Sequence, residues 1–253
     1  MHAETNHMSD SSKTPWGAWA TVGWGFFIMI TFFVLQGVVS MSFAAVEAVQ
    51  KEGLSIDAMV KSIGMNGFVI AVTTCITAPF CIGLIVLFVR LRRGPSVKHY
   101  LGLNAVAPRT MFIWLGILML FAVTSDFLTR LLGRPLVPEF MVNVYETASF
   151  VPLLWVAFIA AAPLFEEFFF RGFLFEGFRN SHLGSLGAVL VTSLGWTVLH
   201  LQYGAYELGI IFVLGVLFGV ARLKSRSIYP PVAMHALFNL FAMIQLVAFF
   251  DGV

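Results

Sequence analysis

The chain has 253 residues, 59% of them hydrophobic and only 11% charged, with a mean hydropathy of +0.89. Soluble domains carry about 25% charged residues, so this composition excludes an ordinary soluble globule and points to an integral membrane protein. The net charge of +2 is small and no basic patch interleaved with aromatics occurs, which excludes nucleic acid as a partner.

The polar N-terminus runs through Lys13, and an uncharged stretch from Thr14 to Val46 follows. That is too long for a signal-peptide core of about 7–15 residues, so it reads as an uncleaved first transmembrane helix. A spanning helix needs about 20 mostly apolar residues. The sequence predicts spans at about 17–42, 67–90, 110–132, 148–165, 184–202, 207–222 and 229–250. The fold class is therefore an all-α polytopic membrane helix bundle of about seven helices. An eighth arises if 164–179 forms a helix of its own, with Pro163 breaking and restarting the chain just before it.

Between the spans, the mixed-charge stretch 47–66 is expected to form a short amphipathic helix, and 133–147 is a proline-bearing connection. No repeat or low-complexity tract appears. One membrane domain is expected, with residues 1–147 supplying N-terminal helices and loops and residues 148–250 a second set of helices. Cys75 and Cys81 lie six apart in one apolar segment, on different faces of a helix, and no metal-type Cys/His spacing occurs.

Orientation follows from Lys and Arg in short loops. One loop carries Arg90, Arg92, Arg93, Lys98 and Arg109, and another carries Arg222, Lys224 and Arg226. With seven spans both fall on one side, together with Lys13 and Arg179. That side is expected to be the cytoplasm, with the N-terminus inside and the C-terminus outside. An eighth span would break the pattern.

Three apolar segments carry polar groups that could do chemistry. The first reads Glu166-Glu167-Phe-Phe-Phe-Arg171. A charge at the centre of a bilayer helix costs on the order of 2.5–3.5 kcal/mol, and ionisable groups at that depth are functional candidates by default. Glu167 and Arg171 are four apart and share a helix face, in the favoured order. Glu166 points about 100° away and is free to face elsewhere. A salt bridge at a helix end in the headgroup zone is the plainer explanation of the pair.

The second group is His200, at the end of Trp196-Thr-Val-Leu-His200, and the third is His235-Ala-Leu-Phe-Asn239, an imidazole and a carboxamide on one face of the last helix. Each alone is explained by interhelical hydrogen bonding, which is worth about 0.6 kcal/mol on average in membranes. Together they are what amide hydrolysis needs. A carboxylate can activate water, and imidazole and amide groups can bind it or stabilise an oxyanion. Alternatively Glu166, His200 and His235 could hold zinc, which lowers the pKa of its bound water toward about 7. Neither GxSxG nor HExxH occurs.

The ordered set Glu-Glu-x-x-x-Arg, aromatic-x-x-x-His and His-x-x-x-Asn resembles the CAAX protease and bacteriocin-processing (CPBP, or Abi) family, which includes the Ras-converting CAAX endopeptidase. The resemblance covers about residues 148–246, making 148–250 the catalytic helix core. It implies that Glu166 activates the attacking water with His200 nearby, that His235 and Asn239 form the oxyanion side, and that Glu167 and Arg171 shape the site. The family motif usually begins its second element with Phe. Trp196 stands there instead, a departure expected to change only packing.

On this basis the expected function is an intramembrane endopeptidase acting on a membrane-associated peptide or protein near the bilayer surface, from the cytoplasmic side. The residues assign no definite cofactor, and zinc is an option. The expected location is a bacterial inner or plasma membrane. The alternative is a non-proteolytic scaffold, immunity factor or subunit of a larger membrane complex. A secondary transporter fits less well, because no internal repeat is present. One physical difficulty stands out. His200 ends its helix, whereas His235 lies about 9 Å inside its own, so the two meet only if a helix stops within the membrane or the backbone is re-entrant around Tyr203-Gly204.

Overall fold

A computed structural model describes residues 16–50, 63–92 and 94–251. Nine helices run through them: α1 (Ala18–Gln50), α2 (Gly67–Leu91), α3 (Val97–Leu101), α4 (Pro108–Leu131), α5 (Glu139–Glu146), α6 (Val151–Arg179), α7 (Gly184–Val198), α8 (Ala205–Ser225) and α9 (Tyr229–Asp251). Six of these, α1, α2, α4, α6, α8 and α9, are long and apolar enough to cross a bilayer. The molecule is a polytopic helical membrane bundle, and α7 is a shorter apolar helix within it. Much of the amphipathic helix expected at 47–66 lies outside the described residues.

The eighth span does not form. Residues 164–179 continue α6, which passes through Pro163 by changing register. Residues Ala157–Ala161 form a π-turn, in which the amide of Ala162 donates to the Ala157 carbonyl five residues back. Proline lacks the N–H that would come next, so a wider turn lets the helix continue without it. A second π segment, Phe168–Leu174, follows the two glutamates. Such bulges cluster at functional sites.

The short helix α7 resolves the depth difficulty. It has 15 residues, about 22 Å at 1.5 Å per residue, against a hydrocarbon core of about 30 Å. It ends at Val198, earlier than the predicted 202. Its last turns tighten, with Leu199 N–H donating to Trp196 O (3.1 Å), His200 N–H to Thr197 O (2.9 Å) and Tyr203 N–H to His200 O (3.0 Å). Gly204 then starts α8 in extended backbone. Tyr203 packs on Phe140 at this reversal, while Leu201 and Gln202 are exposed.

The two ends of the bundle are fixed by separate contacts. At one, Asn104 Nδ2 donates to Arg226 O (3.0 Å), Ser227 Oγ to Asn104 O (2.6 Å) and Ile228 N–H to Gly102 O (2.9 Å). Gly102 has φ +69°, and a Cβ there would lie 2.5 Å from Arg222 Cζ, so only glycine lets the loop close on that guanidinium. At the other end, Gly67 N–H donates to Thr147 Oγ1 (2.9 Å), and Phe140 meets Tyr203 with ring centres 5.5 Å apart. Buried aromatics fill the middle, including Phe165 stacked on Phe32 at 4.5 Å.

Candidate active site

Two glutamates on α6 face two environments. Glu167 is fully buried, and its Oε1 accepts from Arg171 Nη1 at 3.1 Å, the expected i, i+4 pair. Arg171 is also fully buried. Its Nη2 donates to the carbonyl of Gly215 on α8 at 3.0 Å, and its guanidinium lies 4.8 Å from the centre of the Trp196 ring. A Cβ on Gly215 would fall 3.0 Å from Trp196 and 3.2 Å from Arg171 Nη2, so glycine admits the cation between the helices. The surface salt bridge considered from the sequence is thus a buried one.

Glu167 has a second partner that the sequence reading missed. The same Oε1 accepts from His235 Nδ1 at 2.9 Å. An ionised carboxylate only accepts hydrogen bonds, so Nδ1 carries the proton. His235 Nε2 is then turned toward Glu166, 3.9 Å from its Oε2. Glu167 therefore orients the histidine as well as pairing with Arg171.

Glu166 is less enclosed, with 18% of its side chain exposed. Its Oε2 accepts from the indole N–H of Trp196. This corrects the expectation that Trp in place of Phe alters only packing. A phenylalanine has no N–H to give. The Trp196 ring also stands edge-on to His200 at 4.9 Å and to His235 at 5.2 Å. A sequence signal existed: a buried indole N–H usually finds an acceptor, and a carboxylate on the next helix was the obvious one.

His200 sits in the turn after α7. Its Nδ1 lies 2.8 Å from Trp196 O. A carbonyl accepts, so Nδ1 carries the proton here too and Nε2 keeps its lone pair. Asn239 Nδ2 donates to Phe158 O at 2.8 Å. That carbonyl lies in the π-turn, where its next donor in register would come from residue 163, a proline. Asn239 supplies the hydrogen bond that Pro163 cannot. One of its two amide N–H groups remains for other use.

Glu166, His200, His235 and Asn239 all line one cavity of about 350 Å3, with Trp196 beside them. Pockets of about 300–1,000 Å3 suit small ligands or side chains. Glu167 and Arg171 stand behind it. Phe32, Phe140, Phe158 and Phe238 provide apolar wall, and Asp126, bonded by Gln245 Nε2, lies farther along it with Tyr206 and Glu207. Tyr206 in turn shares a 2.9 Å hydrogen bond with Thr129.

For the zinc alternative, no three His, Cys, Asp or Glu side chains among the described residues are grouped as metal ligands. Glu167 and the Trp196 carbonyl take the two Nδ1–H groups and leave both Nε2 lone pairs open, while Trp196 N–H holds one oxygen of Glu166.

Residues 148–241 match the model of the type II CAAX prenyl endopeptidase Rce1-like family. This core is similar to the CAAX protease family. All six polar residues of the three motifs fall within the matched segment. The chain is also 34% identical over 128 residues to an Escherichia coli protein described as an uncharacterized 24.3 kDa protein. That match covers 48% of this chain and 58% of the relative, so the chain spans little more than half of that protein. No solved structure matches.

Proposed function

We propose that this chain is an intramembrane endopeptidase in which Glu166 activates water. The observation that carries the proposal is the pairing of two carboxylates with different tasks. Glu167 is consumed by Arg171 and His235, and Glu166 faces the cavity with a single N–H donor and an imidazole Nε2 near by.

In the hydrolysis, Glu166 accepts a proton from water as the water oxygen bonds to the scissile carbonyl carbon. The carbonyl π electrons move onto oxygen and give a tetrahedral oxyanion. Glu166 then returns the proton to the amide nitrogen, the C–N bond breaks, and an acid and an amine leave. General acid–base help of this kind contributes about 10²–10⁴-fold.

The tautomers refine the roles that the family resemblance implies. With Nδ1–H committed, neutral His235 and His200 offer Nε2 as hydrogen-bond acceptors, suited to orienting the attacking water. The remaining N–H of Asn239 is the neutral donor for the oxyanion. Glu167 and Arg171 are positioning residues.

The substrate is a membrane-associated peptide or protein. The test is processing by cells or purified protein carrying Glu166→Gln. The substitution keeps an acceptor for Trp196, so the protein should reach the membrane in normal amounts while processing is lost. Processing at the wild-type rate would overturn the proposal and favour a scaffold or complex subunit.

A further inference from the structure

The cavity is not placed where the sequence reading expected the substrate to arrive. Its polar floor, Glu166, Trp196 and His235, lies at mid-bundle. From there it runs to the ends of α4, α8 and α9 at Thr129, Tyr206 and Gln245, and past Pro135 between α4 and α5 and Phe140 in the first turn of α5. Every one of these lies at the end of the bundle where Gly67 meets Thr147 and Phe140 meets Tyr203. Gln202 and Pro135 are exposed there, at the edge of the cavity. The opposite end, closed by the Asn104–Arg226 and Gly102–Ile228 contacts, contributes nothing to the cavity lining.

Charge tells the two ends apart. The closed end carries Arg90, Arg92, Lys98, Arg109, Lys224 and Arg226. Among the described residues, the cavity end carries Arg130 and Arg134 against Glu47, Asp126, Glu139, Glu146 and Glu207. In the sequence, 51–62 holds Lys51 and Lys61 with Glu52 and Asp57, and so no net charge. Cytoplasmic loops are the ones enriched in Lys and Arg. The closed end is therefore the cytoplasmic one.

We infer that the cavity opens on the non-cytoplasmic face, and that the substrate is a peptide segment lying outside the cytoplasm beside the membrane. This deepens the protease reading and rests on it for the word substrate. The sidedness of the cavity does not depend on catalysis. Water reaches Glu166 from the same side. The segment would be part of an exported peptide or of an outward-facing stretch of a membrane protein, with an apolar residue entering between Phe140, Phe158 and Phe238.

The experiment uses the full-length protein in right-side-out vesicles of the expressing cells. Single cysteines replace exposed residues at the cavity end, Gln202→Cys and Glu139→Cys, and at the closed end, Lys224→Cys. Wild type, with Cys75 and Cys81 inside α2, is the blank. A membrane-impermeant maleimide should label both cavity-end variants at least tenfold more than Lys224→Cys, and Lys224→Cys should label only after permeabilisation. Labelling of Lys224→Cys in sealed vesicles, or failure of both cavity-end variants to label before permeabilisation, overturns the inference. Neither result touches the outcome of Glu166→Gln, so sidedness and proteolysis fail separately.

Discussion

Glu167 Oε1 stands 2.9 Å from His235 Nδ1, both side chains buried, across the interface of α6 and α9. The same oxygen also accepts from Arg171 Nη1 at 3.1 Å. A charge, its counter-charge and an imidazole thus share one dry junction, and the histidine can present only one nitrogen to the cavity.

Glu167→Gln should therefore damage the fold as well as the chemistry. It leaves Arg171 buried without its anion, and breaking one side of a buried pair costs about 3–5 kcal/mol. Lower yield of folded protein and a reduced melting temperature in detergent are expected. Glu166→Gln, by contrast, should leave the melting temperature within a degree or two of wild type. Thermal unfolding of the two variants side by side measures the difference.

Trp196→Phe restores the aromatic that the family motif usually carries and removes the N–H together with part of a buried ring. A hydrogen bond to a charged group is worth about 1.5–3 kcal/mol, so activity should fall about 10- to 100-fold. The processing rate of Trp196→Phe, read beside its melting temperature, separates loss of the N–H to Glu166 from loss of ring packing.

Asn239→Ala should destabilise the bundle by about 1–3 kcal/mol, the cost of an unpaired buried acceptor, since it strands the Phe158 carbonyl. Pro163→Ala supplies an N–H of its own at that point in the π-turn. The double variant should regain stability beyond Asn239→Ala while activity stays low. Unfolding midpoints together with processing rates separate the two roles of the amide.

Gly215→Ala should push against both Trp196 and Arg171. The new methyl would sit 3.0 Å from the indole and 3.2 Å from Nη2, and overpacking of this kind costs about 1–3 kcal/mol. Intrinsic Trp fluorescence and melting temperature should shift together. An unchanged melting temperature would mean that α7 and α8 separate easily at this point.

The bundle was legible because bilayer thickness forces long apolar runs, and the predicted bounds of α2, α4 and α9 lie within two residues of the helices. What escaped was register. Pro163 looks like a helix break in a linear reading, because nothing in the sequence announces that a π-turn will absorb it. The i, i+4 spacing of Glu167 and Arg171 was local and therefore readable. The Glu167–His235 and Trp196–Glu166 bonds join residues 68 and 30 positions apart, and only the packing of α6 against α7 and α9 brings them together. The early end of α7 was anticipated, but as a geometric necessity of convergence and without a composition signal at Val198.

That early end has a mechanical consequence. A helix of about 22 Å cannot match a hydrocarbon layer of about 30 Å, and the polar turn of residues 199–203 follows it at once. The leaflet on that side must thin beside α7 or let water down to the turn. Each ångström of mismatch costs a fraction of a kcal/mol, so the local shape of the bilayer becomes part of the protein's working environment. Reconstitution in lipids of increasing chain length should then tune turnover without any change to a side chain.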